Sequence, residues 1–569
     1  MALSTSNSVD APVLPVRWSV PALILLLLIS LPIVVCMPLT ADTVLYDLQA
    51  RNVLAGGVMY RDILEPNLPG AVWIHILIRS IVGWSSELMR CFDLLIVSAA
   101  CLVLAIIPRP QKFQDLKATK YQHRLCRPDA GISVTLLTMA TFYLSRNEWC
   151  HCQRDSWMLL PVALAATLRI TSHQRESSAN RTRVRLQAIA EGLCWGIAFW
   201  IKPHVAITAN TVFSIDLGLQ LNRRAELQHL LWVILGGILA AIPGVVWMLQ
   251  SGAWPHFWEM QLDWNPEYVA AARSRRSWQR VWTMLIHFHP WWIVHVLAIG
   301  RSIQVMNEAW KARAGRVPAD HQLSPQCFKT DPQAVILMAV IYLSWLAQAA
   351  FLQHSMDYIQ VPPVILAIVV VSMAEWRLPL QARRMTVAAF AALTLIVSPQ
   401  LQPKKIGKWM SCFRSGSSPQ LRQSLACVPL PDWEHFVPVA EFLQSQRVQP
   451  GDVTCFNVHC IHFYSALQIP PSSRYVGISS LLELFPSRRF EIEHTVRNCG
   501  HRFIVADVLE TEPIPDRFPW NLPVVFQSGT FRVFGTQQQH LSSAGRSPIG
   551  EGDPCRRVRC IGQSVSGAF

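Results

Sequence analysis

The sequence predicts a polytopic α-helical membrane protein of about eleven transmembrane helices. Interfacial helices are expected in its first external loop, and a small α/β domain outside the membrane after the last span. Three observations predict this. Apolar residues make up 51% of the 569 residues and charged residues 15%, against about 25% charged in a soluble domain. Apolar runs able to cross a bilayer recur as far as residue 400. Basic residues gather in alternate loops between those runs, as in cytoplasmic loops of membrane proteins.

The first run is Trp18 to Leu39, WSVPALILLLLISLPIVVCMPL. It is too long and too evenly apolar for a signal-peptide core, and no A-x-A site follows it, so it reads as a retained span. Residues 1–17 then lie in the cytoplasm. Further spans are expected at 88–107, 130–146, 157–171, 186–202, 203–221, 229–250, 281–299, 334–353, 358–376 and 385–400. Crossing at each one places the basic groups Arg109–Arg127, Arg175–Arg185, Arg223–Arg224, Arg301–Arg316 and Arg377–Arg384 inside. It places 40–87, 147–156, the Lys202-Pro203 turn, 251–280, 354–357 and everything past about 400 outside. The parity requires 69–84 not to cross. Its core, AVWIHILIRSIVGW, is short and interrupted by His75 and Arg79, which suits an interfacial or re-entrant helix. The outer loop 251–280 carries Arg273, Arg275, Arg276 and Arg280 against the charge rule. The sequon at Asn180 falls inside and should be unused.

The transmembrane domain is thus expected over 18–400, with the external loop 40–87 as its catalytic segment. An extracytoplasmic α/β domain follows over 401–535. There FVPVAEFLQSQ (436–446) has helical spacing, and DVTCFNV (452–458), RYVGI (474–478), RFIVADV (502–508) and VVFQSGTFRVFG (524–535) read as strands. The tail 536–569 is polar and rich in Gly and Ser, the composition of a disordered segment. Seven cysteines follow residue 400, an odd number that cannot all pair internally. His459-Cys460-x-His462 and Cys150-His151-Cys152 fit no standard zinc spacing.

The formal charge of +14 invites a nucleic-acid reading. The basic residues sit in short inter-span loops without interleaved aromatics, which excludes it. The outer segments instead bring polar groups to the membrane surface. Asp42, Asp47, Asp62 and Glu65 come from the first loop, and Glu148, Arg154 and Asp155 from the second. Lys202 and His204 follow in FWIKPH, and Gln353, His354, Asp357 and Tyr358 in FLQHSMDYIQVPP. Carboxylates can act as a general base or hold a divalent metal, Glu65 and Asp155 being the possible ligands. Lys, Arg, His and Tyr can hold a phosphate. A carboxylate beside a phosphate clamp is what a transferase with a lipid-phosphate donor needs. Plainer roles stand next to each of these. Asp42 could cap the first span, Arg154-Asp155 could be a local ion pair, and Lys202, His354 and Tyr358 could be interfacial anchors. Asp47 is the rival of Asp42 for the base.

Asp42 with YDLQARNVLAGGVMYRDILEPNLPG resembles the first external loop of polyprenyl-phosphate-sugar-dependent glycosyltransferases, the protein O-mannosyltransferase and aminoarabinose transferase superfamily with the C-type glycosyltransferase fold. CQRDSWMLLP, GIAFWIKPH and QHSMDYIQVPPVILA resemble three later motifs of that superfamily in the expected order, across roughly 15–535. The resemblance implies Asp42 as the catalytic base of an inverting transfer. The sugar would pass from a polyprenyl-phosphate donor to a lipid, glycan or protein acceptor, in a bacterial inner membrane. It implies Glu65 and Asp155 as acidic groups of the same cavity, Lys202 against the donor phosphate and Tyr358 near it. Two departures stand out: Thr43 where many relatives have a second acidic residue, and Glu65-Pro66-Asn67 where a lysine often follows the glutamate. The alternatives are a transporter or flippase, which needs charges at mid-depth, and an inactive scaffold of the same fold. Only Asp93, Glu191 and Asp216 lie at mid-depth in the expected spans.

Overall fold

The computed structural model describes residues 14–107, 129–173, 181–219, 223–275, 277–314, 331–354, 356–374 and 380–536. The sequon asparagine, the tail from 537 and most of the basic loops lie outside the described residues. The chain is an integral membrane protein. Among the described residues, five helices are long and apolar enough to cross a bilayer: Trp18–Cys36, Ser86–Ile106, Arg181–Ile201, Arg224–Gln250 and Pro332–Phe351. Shorter apolar helices occupy Gly131–Leu144, Val205–Leu219, Asp357–Ser372 and Met385–Val397, each where a span is expected. Helix length alone therefore does not carry a count of eleven crossings. Expected span 281–299 is not one helix. Trp278–His287 and Trp292–Arg313 meet at 104°. Pro290 lies at the break, where it lacks an N–H and disfavours helix in the residue before it.

Both helices expected in the first external loop form. Ala41–Leu54 starts four residues after the first span ends, and Gly70–Val82 follows a loop closed by the Asp62 carboxylate on Val58 N–H at 2.6 Å. The start of Gly70–Val82 touches the end of Arg181–Ile201 so closely that a Cβ on Gly70 would meet the Trp200 carbonyl. Small residues also form the seam between Arg181–Ile201 and Arg223–Gln250. A Cβ on Gly192 would strike the Val233 carbonyl, and one on Gly236 the Ile189 carbonyl. Lipid offers no hydrophobic drive for helices to associate, so this close backbone approach supplies much of the contact.

The acids at mid-depth in the spans are held by polar partners. Arg169 is buried and reaches Glu191 at 3.1 Å, Asp216 at 2.5 Å, and Glu226; His229 meets Glu191 at 2.9 Å. Four helices are joined by this cluster. Asp93 accepts from Tyr143 Oη at 2.7 Å and Trp157 Nε1 at 2.8 Å. Each mid-depth acid thus has a structural partner.

After the last span, short helices Trp409–Ser415 and Pro419–Leu425 lie on the first span, where Cys412, Leu421 and Leu425 meet Ile33 and Val34. The soluble domain is a four-stranded sheet: β1 (Val453–Cys455), β2 (Phe503–Asp507), β3 (Val524–Ser528) and β4 (Phe531–Gly535), in order β1-β2-β4-β3. β1 and β2 run parallel and the other pairs antiparallel. Side chains alternate across a strand. Phe503 and Val505 face the helix Trp433–Ser445 together with Ala41, Val44 and Leu48 of the first loop. Ile504 and Ala506 face the helices Ile478–Leu484 and Arg489–Asn498 together with Tyr60 and Trp264. The domain is therefore packed onto the first external loop through both faces of its sheet. RYVGI is not a strand. Its Arg474 carbonyl accepts from Leu64 N–H at 2.8 Å, and Gly477, at φ 68°, turns the chain into a helix. No described cysteine is in a disulfide.

Gly236→Leu is expected to force the two seam helices apart. Overpacking costs about 1–3 kcal/mol where neighbours can shift, and here the neighbour is backbone. Thermal unfolding in detergent should move down by several degrees or more; an unchanged midpoint would show that the seam is slack.

Candidate active site

Pro38 and Thr40 set the site in place. The first span stops at Cys36, and Thr40 caps the next helix by accepting from Thr43 N–H. Asp42 therefore sits in the first turn of Ala41–Leu54 and not in a loop. Thr43 Oγ1 turns back to Thr40 Oγ1 at 2.9 Å and to the Cys152 carbonyl at 3.5 Å. Where relatives of the resembled kind place a second carboxylate, this chain has a hydroxyl that ties the first loop to the second.

Burial pushes the Asp42 carboxyl above its ordinary value. Arg154 and His459 nearby work against that, while Glu65 and Asp155 add to it. Five groups from four segments thus act on one another across this space. Glu65 is buried and held: Oε2 accepts from Gln49 Nε2 at 2.7 Å, and Oε1 from Asn67 N–H at 2.9 Å. Asp155 is fully buried and meets Lys202 Nζ at 2.6 Å; Lys202 also donates to Gln353 Oε1 at 2.6 Å. Burial, then the Arg154 charge, draws Lys202 down to about 8, with Asp155 opposing. Arg154 is buried among Tyr46, Asp155, Tyr358 and Tyr268. Its Nη1, with Gln353 Nε2 and Asp155 Oδ2, is buried without a hydrogen-bond partner among the described residues. Buried donors in native structures are almost always satisfied, so the two donors, Arg154 Nη1 and Gln353 Nε2, point at an anion, while Asp155 Oδ2 is an orphan acceptor. His354 packs against Tyr268 with the rings tilted at 54° and their centroids 4.6 Å apart. Burial and then Arg275, Lys202, Arg280 and Arg154 push it to about 4, so it is neutral.

Asp42, Glu65, Arg154, Asp155, Lys202, His354 and Tyr358 are brought together. Asp47 is not, and its expected substrate contact is corrected. Five residues along a helix turn the side chain about 140° away. Asp47 faces the helix Gly70–Val82, where His75 Nδ1 at 2.8 Å and Arg79 Nε at 2.7 Å hold it. Burial raises its carboxyl, but these hydrogen bonds outweigh it and keep the group below the usual range. As ligands for a metal, Glu65 and Asp155 are a poor pair, since both are engaged elsewhere. Among the described residues no three His, Cys, Asp or Glu side chains are grouped so that they could hold a metal ion. Tyr46 and Tyr268 belong to the site and do not stand out in the sequence; His459 does, in His459-Cys460-x-His462, but as a metal-like spacing and not as a neighbour of Asp42.

An apolar groove of about 260 Å³ is lined by Trp195, Phe199 and Trp200, which precede Lys202 in the chain, by Val205 and Ala209, which follow it, and by Gly237. It opens between three spans and starts within three residues of the ammonium.

Neither a protein family nor a curated protein matches the sequence. A solved structure does match by shape: ArnT from Cupriavidus metallidurans bound to undecaprenyl phosphate, at TM-score 0.54 and 12% identity, covering 93% of this chain and 99% of that one. The chain has the ArnT fold. The fold resemblance read from the four ordered motifs is thereby seen in three dimensions. The ArnT fold accounts for spans and soluble domain alike, since nearly the whole of both chains is superposed.

A carboxyl raised by burial resists ionisation, so its folded state gains stability as pH falls and loses it as pH rises through the raised value. At neutral pH the charge on Asp42 opposes folding. Asp42→Asn should therefore raise the thermal midpoint near pH 7 and lose that advantage in acid. A lower midpoint at neutral pH would mean that Asp42 is structurally paired.

Proposed function

We propose that this protein is an inverting glycosyltransferase. It moves a monosaccharide from a polyprenyl-phosphate donor to a lipid, glycan or protein acceptor at the extracytoplasmic face of a bacterial inner membrane. The observation that carries the reading is a buried, proton-avid carboxylate, Asp42, within electrostatic reach of Arg154, whose unsatisfied Nη1 stands near the Lys202–Asp155 pair. Such a pairing suits a step in which one group takes a proton while another receives a leaving phosphate.

Lys202 and Arg154 neutralise the donor phosphate, and Asp155 with Gln353 fixes the ammonium. Tyr358 and His354 border the phosphate as hydrogen-bonding groups. Glu65, clamped by Gln49 and Asn67, faces the sugar. The apolar groove beside Lys202 takes the first prenyl units, and surrounding membrane lipids cover the rest. Asp42 removes the acceptor's proton as its oxygen attacks the anomeric carbon from the side opposite the phosphate. That geometry inverts the centre. The fold likeness to an ArnT bound to undecaprenyl phosphate supports a lipid-phosphate ligand. No step is routed through a metal.

The test is transfer from radiolabelled polyprenyl-phosphate sugars in reconstituted vesicles. Asp42→Asn keeps the shape and removes the base, so kcat should fall by roughly 10²–10⁴-fold. Survival of transfer would move the base elsewhere, and transfer by neither protein would count against an enzyme of this kind. The pH profile should be bell-shaped. Its acid limb lies above the ordinary aspartate range, because Asp42 must be ionised. Its alkaline limb lies near 8, where Lys202 loses its proton, and there the donor KM should rise. Lys202→Arg should move only the alkaline limb, to higher pH.

A further inference from the structure

The soluble domain reaches Asp42 through a single turn. Glu510 accepts from the backbone N–H of Val458 at 2.8 Å and of His459 at 3.0 Å, and from His459 Nδ1 at 2.9 Å. A carboxylate at Nδ1 keeps the proton on that nitrogen and leaves Nε2 as the free acceptor. His459 is 8% exposed, and its Nε2 is buried with no hydrogen-bond partner among the described residues. The residues that follow, Cys460 and Ile461, pack with Ala41 and Val44 beside Asp42. From the second outer loop, Trp149 meets the imidazole edge-on at 5.8 Å. His459 thus stands where the first loop, the second loop and the soluble domain join. A structural histidine normally has both nitrogens satisfied; in this one only Nδ1 is.

We propose that His459, held by Glu510, is the proton outlet of the active site, taking from Asp42 the proton that Asp42 removes from the acceptor. This rests on the transferase reading. In the first step the acceptor oxygen bonds to the anomeric carbon, and the bond from that carbon to the phosphate oxygen breaks with its electron pair. The acceptor's proton goes to Asp42. In the second step it passes to Nε2, restoring the Asp42 carboxylate and leaving an imidazolium paired with Glu510. Water on the extracytoplasmic side then takes it. Besides Asp42 and Glu510, the ionisable groups acting here are Asp507 and His462. His462 is pushed to about 3, by burial first and then by His459 and Arg422, and so does not compete for the proton.

Two measurements on the full-length protein test this. The first is kcat and donor KM against pH for His459→Gln and Glu510→Gln, using a labelled polyprenyl-phosphate sugar. The glutamine at 459 should lower kcat by about tenfold to a hundredfold with KM unchanged and alter the acid limb; the glutamine at 510 should act in the same direction, more weakly. The second is hydrogen–deuterium exchange at the imidazole C2 of His459, read by peptide mass spectrometry in wild type and Asp42→Asn. It needs no turnover. Loss of the nearby negative charge should shift the exchange midpoint to lower pH. An unmoved midpoint overturns the outlet, as does His459→Gln with wild-type kcat and pH profile. Full activity in Asp42→Asn that vanishes with His459→Gln would make His459 the base itself and also overturn the relay. No transfer by wild type from any donor overturns the transferase reading, and the outlet with it. A moved midpoint with an unaffected kcat in His459→Gln overturns the outlet alone.

Discussion

Burying an ammonium beside lipid costs several kcal/mol unless an anion meets it at close range, and the arrangement around Lys202 follows from that requirement. Asp155 supplies the anion at 2.6 Å, and Gln353 Oε1 accepts a second hydrogen bond from the ammonium. Asp155 can be there only because the second loop folds back as a short helix beside the first loop, tied through the Thr43 hydroxyl. Lys202 can be there only because its helix is wedged between Gly70 and the small-residue seam. The same dry surroundings that make the pair necessary hold Asp42 above its ordinary range. Desolvation at the membrane boundary is thus one constraint with two outcomes. A carboxyl is moved up and an ammonium down, in reach of one another.

The soluble domain is part of this boundary. Both faces of its sheet contribute to clusters that include the first external loop. Glu148 of the second loop accepts from Cys427 and Val428 N–H at 2.8 Å, tying the linker down as well. Water is kept from Asp42 by protein on the outer side and by spans on the other.

Much of this was legible in the sequence. Asp42, Glu65, Arg154, Asp155, Lys202 and Tyr358 are marked by motifs at the ends of apolar runs, and chain order at a membrane surface already says that such ends share a plane. Three of the four expected strand segments are found where alternation placed them. Asp47 was read as a rival because linear distance from Asp42 is small, while a helical turn makes the two face apart. RYVGI has the composition of a strand but pairs with the first loop, a contact between residues about 400 apart that no local pattern encodes. Tyr46 and Tyr268 escape for the same reason: aromatic residues are ordinary core material until their neighbours are known, and His459 drew notice only for its spacing to Cys460 and His462. The break at Pro290 was visible as a proline inside an apolar run, yet hydropathy averages over it.

The helix Arg223–Gln250 has 28 residues, about 42 Å at 1.5 Å per residue, against a hydrocarbon core of roughly 30 Å. Its partner in the glycine seam ends one residue before Lys202 and is bound too closely to slide independently. Any tilt this long helix adopts to fit a thinner or thicker bilayer is therefore handed on to the lysine. Lipid chain length becomes a quantity that the site registers, and growth temperature, which sets acyl composition, would be felt at the Lys202 ammonium through a seam of glycines.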